Sequence, residues 1–236
     1  MNEKIKIRCS AIGKIMTEPR LKSDKESGLL GETAKTFIRE IWLNNNFGYR
    51  DEVVTDPMLK GHICEQDSMA LVQKVLGGQF RVKSDINLEN EYITGHCDID
   101  QDKEDCVEDI KTSWDIRTFY ESEMTKDNEF QLRGYCGILK RSKGRIIYCL
   151  VDSPTEIIVE LQKRVWFKFG CDDQNPDYQR ISQQIKLNHT PSLIPLDILP
   201  LAKRIKVFEL TRDIEIENKI YGQVEKARIY YESLTI

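Results

Sequence analysis

Two aspartates, Asp98 and Asp109, flank a polar, charged run at 101–105, and a lysine, Lys111, follows shortly after the second of them. The residues on either side, around 93–99 and 106–112, have the character of strands, so 95–113 reads as a hairpin. If its loop holds an even number of residues, the two carboxylates stand directly opposite each other, with Cβ atoms about 4.5–5.5 Å apart. Carboxylates that close repel unless a cation lies between them. Side chains alternate across a strand, so Val107, Asp109 and Lys111 share one face while Glu108 and Ile110 share the other. The metal candidate is therefore Asp109 and not Glu108, with Lys111 pointing at the same spot. A D-x-K tripeptide alone says little, because acidic residues near turns are common.

The kind of cation follows from what else the chain offers. Its seven cysteines are spread out with no C-x-x-C pair, as expected of reduced thiols used in packing. His62, His96 and His189 are scattered and never share one helical face at ligand spacing. Any metal must then be held by oxygen, which points to magnesium or manganese.

Three further positions could join such a site. Glu65 lies two turns into a helix that opens at Asp56-Pro57 and closes at Gly77-Gly78, beside the small residues Gly61 and Cys64. Gln131 and Tyr135 are four apart on a helix over 128–139 and so share a face, from which they could bracket a phosphodiester. Ser10 fits the N-cap of a short helix running through Met16, with phosphate binding at that helix terminus as a second use.

The remaining elements must position these residues. A polar loop is expected over 19–30 and an amphipathic packing helix over 31–46. A strand is expected over 79–88, and the apolar, β-branched run 145–151 reads as a buried strand. Ser153-Pro154-Thr155-Glu156 has the pattern of a capping box opening a helix through Phe169. A helix over 175–187, a last strand over 203–210 and a C-terminal helix carrying Ile216, Ile220, Ala227, Tyr231 and Leu234 complete the chain.

A hydrophobic content of 40% and a charged content of 31% suit a globular protein. No apolar run reaches the roughly 18 residues that a bilayer span needs, and the N-terminal segment lacks the apolar centre of a signal peptide, so the expected location is the cytoplasm. The net charge of −4 gives no global attraction to nucleic acid. Phosphate contacts would have to come from local basic runs, at 140–145, at Lys163-Arg164 with Lys168, and at Lys203-Arg204 with Lys206.

The order of motifs is a helical Glu65, a strand with Gly95-His96-Cys97-Asp98, a strand with Asp109-Ile110-Lys111, a helix with Gln131 and Tyr135, and then a buried strand. This resembles the PD-(D/E)XK nuclease superfamily, in particular its phage lambda-type exonuclease and recombination nuclease branch. The continuation Lys111-Thr112-Ser113 and the early turn with Ser10 are also similar to that branch. The branch commonly has Glu where this chain has Asp109.

The resemblance implies an α/β (α+β) restriction-endonuclease-like core, a central mixed β-sheet flanked by helices, in one nuclease domain over 1–236 with helical additions from about 175. It implies that Asp98, Asp109 and the carbonyl of Ile110 hold Mg2+, with Mn2+ able to substitute, and that Glu65 positions a second ion or its water. Lys111 would orient or deprotonate the attacking water, Gln131 would position water or phosphate with Tyr135 in support, and Ser10, Tyr135 and Ser113 would contact DNA. The implied activity is hydrolysis of linear double-stranded DNA from the 5′ end, in a ring-like trimer with a single-strand annealing protein as partner, in the bacterial cytoplasm if the chain is phage-encoded. Two rival readings are an endonuclease built on the same core and a DNA-binding or assembly protein without catalysis.

Overall fold

The computed structural model describes residues 4–51 and 53–235. Residues 1–3, which belong to the N-terminal segment read above for a signal peptide, lie outside them. The chain enters on β1 (Ile7–Arg8), passes through a tight turn over Cys9–Ala11 and forms the short helix α1 (Ile12–Ile15). The expected cap by Ser10 does not form: Ala11 is the N-cap, no side chain caps it, and Ser10 is exposed within the preceding turn. The expected polar loop contains a short helix, α2 (Lys22–Glu26), and the packing helix follows as α3 (Glu32–Phe47), ended by Gly48 in the left-handed conformation.

The helix expected over 55–78 is two helices, α4 (Asp56–Ile63) and α5 (Glu65–Leu76), with Cys64 at the break. Thr55 caps α4 through its side chain, with Pro57 in the first turn. Glu65 is therefore the first residue of α5 and not a mid-helix residue. The strand expected over 79–88 is also absent apart from β2 (Leu88–Glu89), because the residues before Leu88 join no sheet ladder.

β3 (Ile93–Gly95) pairs with β1 in parallel and with β2 in antiparallel fashion, giving a small mixed sheet in the order β1-β3-β2. The strand then breaks over 96–98 and resumes as β4 (Ile99–Gln101), which turns back into β5 (Cys106–Thr112). The short helix α6 (Ile116–Tyr120) and α7 (Lys126–Leu139) lead to β6 (Lys143–Cys149). The pair α8 (Thr155–Lys168) and α9 (Pro176–His189) precedes β7 (Ile205–Thr211) and α10 (Ile214–Glu232). The second sheet has the order β4-β5-β6-β7, with β5 and β6 parallel and the outer pairs antiparallel. The molecule is thus a mixed α/β fold with mixed sheets flanked by helices, as the resemblance implies, the strands being divided between two sheets.

Alternation along β6 builds two cores. Ile146 faces the larger one, with Ile7, Ile12, Ile38, Ile93, Val107, Leu132 and Val224, while Ile147 and Cys149 face Leu71 and Val72 of α5. Six of the seven cysteines are buried and Cys171 is exposed, and none is paired. The capping box expected at Ser153 is not made, since α8 begins after Pro154 without a side-chain cap and the Ser153 hydroxyl hydrogen-bonds His189 Nδ1 at 3.0 Å.

Candidate active site

The register of the hairpin decides the first question. Ile99 pairs with Glu108, Asp100 with Val107 and Gln101 with Cys106, across a loop of four residues. Continued by one step, the same register sets Asp98 against Asp109. The regular ladder ends at Ile99, which leaves the Ile110 N–H without a strand partner on that side, and it donates instead to Asp98 Oδ2 at 2.6 Å. The N–H and C=O of one strand residue point the same way, so the Ile110 carbonyl faces this edge too.

The alternation of β5 holds on both faces. Asp109 is buried, and its Oδ2 lies 2.7 Å from Lys111 Nζ. Its Oδ1 accepts a hydrogen bond from Gln131 Nε2 at 3.1 Å. Gln131 Nε2 also donates to the Tyr135 hydroxyl at 3.1 Å, and that hydroxyl donates to the His96 carbonyl at 2.6 Å. Tyr135 is itself buried, so it braces Gln131 and the chain ahead of Asp98 from behind. On the opposite face Glu108, fully buried, is gripped by Arg81 at 2.7 and 3.1 Å with Arg145 at 3.4 Å.

Close packing holds this frame in place. A Cβ on Gly95 would come within 3.1 Å of the Tyr135 ring and 3.2 Å of Cys9 Cβ. One on Gly134 would come within 2.6 Å of Ile12 Cδ1 and 2.9 Å of Cys9 Sγ, so α7 can approach the first turn only without a side chain there. The Gly ahead of Asp98 is thus required by the helix that carries Gln131.

The charges at the edge are strained in a specific way. Burial, and then the neighbouring Asp109, push the Asp98 carboxyl up to about 6, against the opposing pull of the Ile110 N–H and Lys111. Burial would lower Lys111, but the charge and contact of Asp109 outweigh it and the ammonium is held above its ordinary value. Burial, and then Asp109, likewise raise the Tyr135 phenol, which stays protonated. Asp109 Oδ2 is buried and receives no well-directed hydrogen bond, despite the nearby ammonium. A buried acceptor next in register to the half-buried Asp98, on the strand that carries the Ile110 carbonyl, fits a small, hard divalent cation. Among the described residues no three or more metal-ligating side chains close on one point. Magnesium would suit this arrangement, since it is usually bound through one or two carboxylates and keeps several waters.

The other residues singled out in the sequence fall at varied distances from this edge. Glu65 approaches from the α5 face and is bound to Lys83, with Nζ 2.6 Å from Oε2. Ser113 is buried, its N–H donates to the Cys149 carbonyl, and its hydroxyl has no partner. Ser10 is exposed on the turn whose Cys9 touches the Gly95 and Gly134 positions. The arginines of the first two basic runs are ion-paired, while Lys140, Lys143, Lys163, Lys168 and Lys203 are exposed. Arg141 pairs with Asp100 and Asp102, Arg145 with Glu104 and Glu209, and Arg164 with Asp56. Arg204 is buried, and Lys206 is directed at the Tyr120 carbonyl.

Sequence reasoning missed Lys83 and the buried pair of Arg81 with Glu108. The signal for both was present as the alternation of 80–86, in which Phe80, Val82 and Ile86 are exposed while Arg81 and Lys83 turn to carboxylates. It also missed Lys60, fully buried, whose ammonium donates to the carbonyls of Trp114 and Val151 just past the ends of β5 and β6.

The architecture and the carboxylate-lysine edge together define a fold seen in nucleases. The chain is similar to the crystal structure of a phage related exonuclease from Haemophilus somnus 129PT, at 27% identity, a TM-score of 0.74, and coverage of 97% of this chain and 94% of that one. It shares its fold with an alkaline exonuclease from Laribacter hongkongensis, at 10% identity and a TM-score of 0.62 over 97% of this chain and 88% of the other. The same exonuclease solved with dAMP matches at 12% identity and a TM-score of 0.60. No family model and no curated protein matches the chain.

Proposed function

We propose that this chain is a divalent-metal-dependent deoxyribonuclease that degrades linear double-stranded DNA from the 5′ end. The observation that carries the reading is Asp109, a buried carboxylate opposite Asp98 that is flanked by the Lys111 ammonium and keeps one oxygen without a directed donor. The exonucleases of the same fold support the substrate class.

Asp98, Asp109 and the Ile110 carbonyl would hold magnesium. Bound there, the ion supplies Lewis-acid polarisation of a phosphate and a lowered pKa for a coordinated water. The chain's own groups do the rest. Lys111 Nζ orients the attacking water and offsets the charge that gathers on the pentavalent phosphorus, a donor fixed in advance by its pairing with Asp109. Gln131 fixes the rotamer of Asp109 and offers its amide to water or phosphate, and Tyr135 holds Gln131 still. Ring-like trimer assembly and a single-strand annealing partner belong to the same proposal by resemblance.

End-labelled linear duplex, incubated with and without Mg2+ or Mn2+, tests it. Expected is metal-dependent release of nucleotides from 5′ ends, with closed circular duplex left intact. Lys111→Ala and Asp109→Asn should each cost about 100-fold or more in rate, the scale of losing a preorganised transition-state donor. Cleavage without metal, or equal cleavage by the variants, refutes the mechanism. Nicking of circular duplex would make the chain an endonuclease.

A further inference from the structure

Lys83 sits on a stretch of chain that is tied down on both sides. Two residues before it, Arg81 is bound through its N–H to Gln73 Oε1 at 2.9 Å, through Nη1 to the Gly77 carbonyl at 2.8 Å, and through its guanidinium to Glu108. One residue after it, the Ser84 N–H donates to the Asp98 carbonyl at 2.8 Å. The ammonium between these anchors reaches Glu65 Oε2 at 2.6 Å and also lies within the fields of Asp98 and Asp85. The Lys83 and Glu65 side chains remain 38% and 27% exposed, so an ion pair of this kind contributes little to stability. Stability is therefore a poor account of why the pair is there. Its place is a better one: a monovalent cation, delivered by the chain itself, lies on the carboxylate whose charge acts on Asp98.

We infer that the Lys83 ammonium occupies the position at Glu65 that a second divalent ion would otherwise take, so that the chain works with one metal ion per site. A second divalent ion at Glu65 would be repelled by the ammonium held 2.6 Å from its Oε2. Magnesium is content with one or two carboxylates plus water, so Glu65 freed of Lys83 is a competent anchor beside the first ion. Lys83 is thus a positioning residue that sets metal stoichiometry. The inference rests on the metal-dependent reading above.

Counting bound Mn2+ tests it, by titration calorimetry and by the loss of the free-ion electron paramagnetic resonance signal, on the full chain. The wild type should bind one ion per chain, and Lys83→Met should bind two. The double variant Lys83→Met, Glu65→Gln should return to one, which identifies Glu65 as the added ligand. Lys83→Arg, which keeps the charge, should bind one. Urea midpoints of all variants should lie close to the wild type, given the exposure of the pair. Two ions in the wild type, or one ion in Lys83→Met, overturns the inference while leaving the metal-dependent reading intact. Absence of any bound Mn2+ in every variant overturns both.

Discussion

Asp98→Asn should make the metal-free protein more stable at alkaline pH while removing a proposed magnesium ligand. The Asp98 carboxyl, ordinarily near 3.8, is pushed up to about 6 by burial and then by Asp109. At about 1.4 kcal/mol for each pH unit between these values, keeping this group ionised costs the fold up to about 3 kcal/mol. The sign follows from proton counting. Between about pH 4 and 6 the native chain still holds a proton that the unfolded chain has lost, so the unfolding free energy falls as pH rises through that window and stays lower above it.

Replacement by Asn removes the titration and retains an oxygen that can accept from the Ile110 N–H. Urea denaturation in EDTA should therefore show the variant up to about 3 kcal/mol more stable than wild type at pH 8, with the gap closing towards pH 4. Saturating Mg2+ should reverse the order at pH 8, because ligand binding stabilises only the chain that can bind. A variant that is less stable than wild type at pH 8 in EDTA, or a gap that does not depend on pH, refutes the electrostatic account of the edge.

Two further expectations concern the frame. Arg81→Met leaves Glu108 buried with only Arg145 nearby, so the loss should be about 3 kcal/mol by urea denaturation, at the lower end for a broken buried pair, and a loss below 1 kcal/mol would show the pair to be dispensable. Gly134→Ala places a methyl 2.6 Å from Ile12 Cδ1, and the overpacking should cost about 1–3 kcal/mol in thermal unfolding and lower cleavage through the displaced Gln131.

What the sequence disclosed was local or periodic. The parity that separates Asp109 from Glu108 and the four-residue spacing of Gln131 and Tyr135 are readable from spacing, because strand and helix geometry impose them, whereas the even loop entered the sequence reading only as a condition. What escaped was set by residues far along the chain. The break at Cys64 carries no Pro or Gly signal at that residue, and the Cys64 thiol instead donates to the Asp152 carbonyl. Ser153 has the pattern of a cap, yet its hydroxyl is taken by His189. The alternation at 79–88 is genuine, but its inward residues meet Glu108 and Glu65, and apart from Leu88 it joins no ladder. Within the basic run at 140–145, Arg141 and Arg145 are matched by acids from other strands and turns that no local reading could supply.

β5 keeps its two acidic residues on separate accounts. Asp109 and Lys111 face the candidate site, while Glu108, one position away, is locked to Arg81 and Arg145 on the other side of the sheet. Under relaxed selection these would erode at different rates. A lineage that no longer needed the chemistry could drift freely at 109 and 111 and still fold, whereas a change at 108 would be purged for its effect on folding. Homologues that keep the Glu and both arginines but have lost the Asp and Lys would thus be recognisable as retired enzymes from one strand alone.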